Sequence, residues 1–317
     1  LDRQNRNFRR VVFAFAAVMA AGLAFVLLAQ SNSGNGGAPE PSVEEVLSSD
    51  DKPEVTEPWV PPSEIIEEKS DPANKALKVV VNEEENPFFT SSFTTCANAT
   101  YYGILYFDKN VLYTSGNSAQ TPSASVIKVF IMEYAYHQIA QGKLSPDSTI
   151  AGRNLKSLIE TMIQDSNNEA ANILIDEFGM SEMNAFWQNN GYASTVLQRR
   201  MLDMDARNAG KDNYTSLDDC QAFLTKLYSN REVYPYSEML AIMKGQNVRT
   251  KIPVNLPSGV VVAHKTGELN DVENDIGIVF SEGSDYAIIA LTFNPSSSAA
   301  ACSAIAQLAR AAYDFVP

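Results

Sequence analysis

Apolar and polar positions change their rhythm several times along the chain. From Val11 to Ala29 the residues are apolar and uncharged without interruption. As a helix rising ~1.5 Å per residue, this run spans about 28 Å, close to the ~30 Å hydrocarbon core of a bilayer. Arg3, Arg6, Arg9 and Arg10 precede it and acids follow it. The positive-inside rule therefore assigns residues 1–10 to the cytoplasm, 11–29 to a single transmembrane anchor and the rest to the outside. A cleaved signal peptide is the competing reading. Against it stand the length of the run and the poor cleavage site Leu27-Leu28-Ala29-Gln30; no cysteine follows that could carry a lipid. Both readings place the remaining chain outside the cytoplasm.

Residues 30–86 are rich in Pro, Ser, Gly and Glu and show no sustained apolar period. They are expected to form a disordered linker. From residue 87 to 317 the pattern is that of one globular domain. Tyr101–Asp108 and Val111–Thr114 read as strands. An apolar helix is expected from about Ser125 to Gln141, closed by Gly142. Helical spacing returns over Leu155–Gln164, Glu169–Phe178, Ser181–Asn189, Ser216–Tyr228 and Ser237–Lys244. Val260–Thr266, Ile276–Ser281 and Tyr286–Phe293 are β-rich, and Ser297–Phe315 is an alanine-rich amphipathic helix. Strands at both ends of a helical middle predict an α+β fold, in which the two ends build one antiparallel sheet flanked by helices and an all-helical region is inserted between them.

Charge changes this picture little. The net charge is −14, but residues 31–86 alone contribute −10 of it, so the acidity belongs mainly to the linker. No basic stripe follows the N-terminal arginines, which excludes nucleic acid as a partner. The only histidines, His137 and His264, are far apart, and Cys96, Cys220 and Cys302 form no C-x-x-C pair. A zinc site is excluded on that composition, and no cofactor or metal is expected. The cysteines could supply one disulfide and a thiol, or three thiols.

Three short motifs carry candidate chemistry. In Ser125-Val126-Ile127-Lys128, helical spacing puts Lys128 on the face of the Ser125 hydroxyl. A lysine deprived of its proton by burial could act there as a base. The motif is cheap, since Ser49-Asp50-Asp51-Lys52 matches it in the linker; what distinguishes Ser125 is the apolar helix that follows. Ser166-Asn167-Asn168 lies between two predicted helices, where it could face a cleft or merely cap a helix. Lys265-Thr266-Gly267 ends a predicted strand, where it could hold a substrate backbone and carboxylate or form an ordinary turn.

In this order, S-x-x-K, S-x-N and K-T-G resemble the signature set of class A β-lactamases and penicillin-binding proteins. The resemblance runs from about Thr100 to Pro317. It includes the flanks Ala124-Ser125-Val126-Ile127-Lys128 and Asn168-Glu169-Ala170-Ala171-Asn172, and Lys211-Asp212-Asn213-Tyr214-Thr215, which is similar to the segment closing the family's omega loop. It implies a serine hydrolase acylated by β-lactams or related acyl-amide substrates; a monomer is expected. A D,D-carboxypeptidase or transpeptidase acting on D-Ala-D-Ala-type peptides, and a non-catalytic envelope binding protein, are the alternatives. By the resemblance, Ser125 is the nucleophile, Lys128 its base or proton relay, and Ser166 the donor to the leaving nitrogen. Asn168 binds the substrate amide, and Lys265, Thr266 and Gly267 bind its carboxylate end. The oxyanion hole is the backbone N–H of Ser125 and of Glu268.

Two departures stand out. If Arg199 matches the family's arginine, Met201 falls where the omega-loop glutamate that activates the deacylating water belongs; Asp203 or Asp205 would be the substitutes, or else loop-bracing residues. The span from Ser125 to Ser166 is also shorter than in class A. Asn274 stands near the position of a carboxylate-binding arginine in many class A enzymes. Because both chain ends join one sheet in this family, a Cys96–Cys302 disulfide is a further expectation in an exported domain.

Overall fold

A computed structural model describes residues 76–315 and 317. The transmembrane anchor and most of the linker, as read from the sequence, lie outside the described residues. Among the described residues, no helix is long and apolar enough to cross a membrane.

The strands are β1 (Lys78–Val80), β2 (Ala97–Tyr106), β3 (Val111–Thr114), β4 (Thr121–Pro122), β5 (Thr149–Ile150), β6 (Arg153–Asn154), β7 (Tyr214–Thr215), β8 (Val261–Leu269), β9 (Val272–Phe280) and β10 (Tyr286–Pro295). The helices are α1 (Ile127–Ala140), α2 (Leu155–Gln164), α3 (Asn168–Phe178), α4 (Met180–Asn189), α5 (Met204–Asn208), α6 (Leu217–Ser229), α7 (Tyr236–Lys244) and α8 (Ser298–Asp314). Six strands form one sheet in the order β1-β3-β2-β10-β9-β8. The N-terminal and C-terminal strands meet at the β2–β10 seam, where Tyr102 faces Ala290 in antiparallel register. The expected α+β architecture is present, with α1 to α7 between the two halves of the sheet.

Each face of the sheet buries its own core. On one side Leu105, Ala263, Ile276, Ile278 and Ile289 pack against the inserted helices. On the other, Ile104, Val262 and Ile288 pack against Ala301, Ala304, Ile305 and Leu308 of α8. The strand residues split between the two cores with the period of two that strands impose. Small alanines let α8 lie close to the sheet. Helix α1 is different: from Ile127 to Ile139 every residue but His137 is buried. A helix buried on all sides sits inside the domain, and this one carries the start of the site into the centre of the molecule.

Three differences from the sequence reading have physical causes. The folded part begins before residue 87: β1 pairs in parallel with β3. Buried Asn86 donates from its amide to Val80 O at 3.2 Å and Thr114 O at 3.0 Å. The valines of this strand are too few to show a period beside Glu83, Glu84 and Glu85, so they merged with the acidic linker. Strands β8 and β9 reach beyond the predicted runs, through Glu268, Glu273, Asn274 and Asp275. Acids, buried at Glu273 and Asp275 and exposed at Glu268, broke the apolar pattern there. The expected Cys96–Cys302 disulfide is absent: all three cysteines are free. Cys96 is buried in the core under α8. Cys302 stands one turn from Ser298 on the helix face that meets Glu273, where Ser298 Oγ hydrogen-bonds that carboxylate. Its thiol neighbours Glu273 and Ser298. Titration of the denatured protein with a thiol reagent is expected to count three thiols; a count of one would restore the bridge.

Candidate active site

Ser125 lies in a 3-10 turn, Ala124–Val126, that leads into α1. The turn is held from several sides. Ser123 N donates to Asn213 O at 2.9 Å, and the Ser123 hydroxyl donates to the same oxygen at 3.0 Å. Asn274 Nδ2 donates to Pro122 O at 3.0 Å and Ser123 O at 3.3 Å, while its Oδ1 accepts from Thr292 N at 2.8 Å. Asn274 is thus a structural tie between β9, β10 and the turn that carries Ser125. Ala124 has φ +47°, a left-handed conformation that costs an L-residue energy and is kept only where the surroundings impose it.

Gly267 of β8 closes on this turn. A Cβ there would stand 2.8 Å from Ser123 O and 3.2 Å from Ser125 N. Only glycine lets the edge strand come so near the candidate nucleophile. As β8 is an edge strand, alternate backbone N–H groups along it have no partner in β9. The Glu268 amide therefore belongs to a strand brought up against the Ser125 amide.

One face of α1 carries Lys128 into the gap between α2 and α3. Its ammonium is fully buried and donates to Ser166 O at 2.6 Å, Asn168 Oδ1 at 2.8 Å and Ser166 Oγ at 3.3 Å. Among the described residues no hydrogen bond joins Lys128 to the Ser125 hydroxyl, contrary to the simple i, i+3 expectation, because all its contacts lie on the 166–168 turn. That turn does not merely cap a helix. Asn167 takes the capping role, its Oδ1 accepting from Ala170 N at 2.8 Å. Ser166, at φ +53°, and Asn168 are left free to face the lysine. From the opposite wall Lys265 Nζ, also fully buried, donates to Ser166 Oγ at 3.0 Å and Thr266 O at 2.9 Å. The structure therefore gathers Lys128, Ser166, Asn168 and Lys265 around one hydroxyl, with Ser125, Thr266 and Gly267 alongside.

Burial of two ammonium groups disfavours their charged forms. Burial, reinforced by the charge of Lys265, brings Lys128 down to about 6. Lys265 is lowered to about 7, mainly by burial; Asp275 opposes the shift and Lys251 adds to it. Lys251 behaves oppositely. Burial lowers it, but Asp275, Glu268 and Glu273 outweigh that and raise it.

These last residues were not legible as site residues. Lys251 bridges Glu268 at 2.6 Å and Glu273 at 3.0 Å. Asp275 accepts from Ile252 N at 3.0 Å and lies 3.0 Å from His264 Nδ1. His264 is a packed strand residue, as expected. Acids two apart in a strand, Glu273 and Asp275, were the available signal: they share a face and oppose Glu268 and Thr266 in the β8–β9 register.

The loop from Leu197 to Asn213 is closed at its base by the Val196–Tyr214 bridge. Arg199 and Asp212 pair at 2.7 Å inside it, and Asn213 Oδ1 accepts from Gln198 N and Arg199 N at 2.9 and 3.1 Å. Asn172 fixes Met201 by accepting from its N at 2.7 Å and donating to its O at 3.1 Å. Met201 is buried. Asp203 caps α5, accepting from Ala206 N at 2.9 Å, and both Asp203 and Asp205 are exposed.

A family model described as the beta-lactamase enzyme family matches residues 151–316, more than half of the chain. The extended-spectrum beta-lactamase PER-1 of Pseudomonas aeruginosa is 24% identical over 231 residues, covering 61% of this chain and 75% of that protein. The fold is shared with PBP-A at TM-score 0.62 and 23% identity, over 70% of this chain and 93% of that one. It is shared with a beta-lactamase from Chitinophaga pinensis at TM-score 0.64 and 21% identity, over 70% and 96%. A PBP-A mutant solved as an acyl-enzyme with penicillin G is similar at TM-score 0.61 and 24% identity, over 68% and 89%. The chain belongs to the beta-lactamase enzyme family and is a serine hydrolase.

Proposed function

We propose that Ser125 is acylated by β-lactams or related acyl-amide substrates, and that the domain does this outside the cytoplasm. The observation that carries the reading is the Ser166 hydroxyl held between two buried lysines, 3.3 Å from Lys128 and 3.0 Å from Lys265. Ser125 Oγ adds to the lactam carbonyl, and the Ser125 proton passes to neutral Lys128. The C–N bond breaks, and the departing nitrogen takes a proton through Ser166. The ester on Ser125 retains the acyl group. The N–H groups of Ser125 and Glu268 stabilise the developing oxyanion. Asn168 holds the substrate amide, and Lys265 with Thr266 the carboxylate. The arginines before Val11 and the apolar run after them support an exported, membrane-held domain.

Intact-mass measurements over time after addition of benzylpenicillin test this. Gain of one penicillin mass on Ser125 is expected; no adduct and no drug loss would overturn it. The loop beside the site favours the penicillin-binding version over a fast lactamase. The buried Met201 offers no carboxylate, and Asp203 is engaged as a helix cap. Slow return to the unmodified mass is therefore expected.

The acylation rate is expected to be bell-shaped in pH. Lys128 becomes a base as pH rises through about 6, which increases the rate. Lys265 loses its charge as pH rises through about 7, which weakens its hold on an anionic substrate. The two lysines share Ser166 and titrate as a pair, so the maximum lies between the limbs. A rate that climbs steadily to pH 9 would contradict the assignment of Lys265.

A further inference from the structure

We propose that Glu268 is a specificity-determining residue: its carboxylate, held by Lys251 on the face of β8 that carries Thr266, repels the carboxylate of a substrate bound at Lys265-Thr266-Gly267. The inference rests on the acylation of Ser125 proposed above.

Glu268 follows the K-T-G triplet directly and faces Glu273 across the β8–β9 register. Like charges directly opposed on adjacent strands repel, and Lys251 relieves the pair by bridging both. The two acids are unequal partners. The Glu273 side chain is 6% exposed and Lys251 0%, whereas Glu268 is 50% exposed. Glu273 is further fixed by the Ser298 hydroxyl, and its backbone by Thr292, whose Oγ1 accepts from Glu273 N and donates to Glu273 O. It is the permanent counter-ion. Glu268 is a carboxylate at the rim, with one oxygen on a buried cation and a path into solvent.

A substrate carboxylate held by Lys265 and Thr266 arrives within a residue of this group. It meets a negative charge that the chain itself supplies, and the neighbouring cation, Lys251, is already engaged by Glu268 and Glu273. Asp275 lies on the same face, bonded to His264 and to Ile252 N, and adds to the negative side. Substrates whose corresponding end is uncharged escape the conflict. When Glu268 is removed, Lys251 keeps Glu273 and stays paired, so the cation becomes available without being orphaned.

The test measures acylation of Ser125 by benzylpenicillin and by its methyl ester in the full chain, and takes the ratio of the two rates. Any inactive fraction cancels in that ratio. Glu268→Gln is expected to raise the benzylpenicillin-to-ester ratio about tenfold, and Glu268→Asp, which keeps the charge, to leave it near the wild-type value. Glu268→Thr, suited to a strand, gives an independent reading should the glutamine variant not fold, with the same rise expected. A ratio within twofold of wild type in the neutral variants overturns the proposal. If neither compound acylates the wild type, the Ser125 reading fails first, a result distinct from an unmoved ratio.

Discussion

Ser125→Ala is expected to abolish covalent labelling by penicillin and to lower any lactam hydrolysis by on the order of 10⁴-fold or more, the scale lost when a nucleophile is deleted from a catalytic unit. The change is small enough to leave the scaffold intact. Ser125 is half-buried in a turn whose supports are all on other atoms: Ser123 with Asn213, Asn274 with Pro122 and Ser123, and Gly267 against the backbone. Alanine removes the hydroxyl and none of these. Thermal unfolding should therefore coincide with wild type while the acyl adduct disappears from the intact mass spectrum. An adduct that persists in the alanine variant would place the nucleophile elsewhere.

Met201→Glu should act on the opposite half of the cycle. Asn172 grips Met201 through both its N–H and its carbonyl, so the direction of the side chain is set by the backbone and not by its own chemistry. A glutamate there would start from the position where the resemblance puts the water-activating carboxylate. A positioned general base contributes about 10²–10⁴-fold, and loss of the acyl group from Ser125 is expected to accelerate by about 100-fold, with the acylation step changed far less. The same burial that suits methionine opposes a charged carboxylate, so part of the gain should appear only at higher pH. Following the acyl adduct after removal of free penicillin separates the two steps. An unchanged lifetime would mean that water cannot reach the ester from this side.

The sequence revealed most where one local rule sufficed. The period of the apolar residues located the helices, the order of strands and helices predicted the divided sheet, and three short motifs pointed to Ser125, Lys128, Ser166 and Lys265. What it hid were decisions made by tertiary contact. Lys128 could be placed on the face of Ser125 by spacing, but only the turn at 166–168 decided where its ammonium points. The buried acids Glu273 and Asp275 looked like an interruption of a strand, because their partners Lys251 and His264 come from elsewhere in the chain. The cysteines illustrate the same limit: sharing one region of the sheet did not make Cys96 and Cys302 face each other, since one helical turn aims Cys302 at Glu273.

The seam between β2 and β10 has a consequence for timing. Ser125 and Lys128 stand at the start of the inserted helices, whereas Lys265 and the strand that closes on Ser125 follow them, and β10 is what fastens that C-terminal half to β2. Contacts between segments so distant in sequence are slow to form and depend on the later one being present. A nascent chain that has emerged through α7 holds the proposed nucleophile but has neither the second lysine nor the edge strand. Completion of its last strands is what arms the enzyme, and a chain cut short before them should be inert even with all of its N-terminal site residues in place.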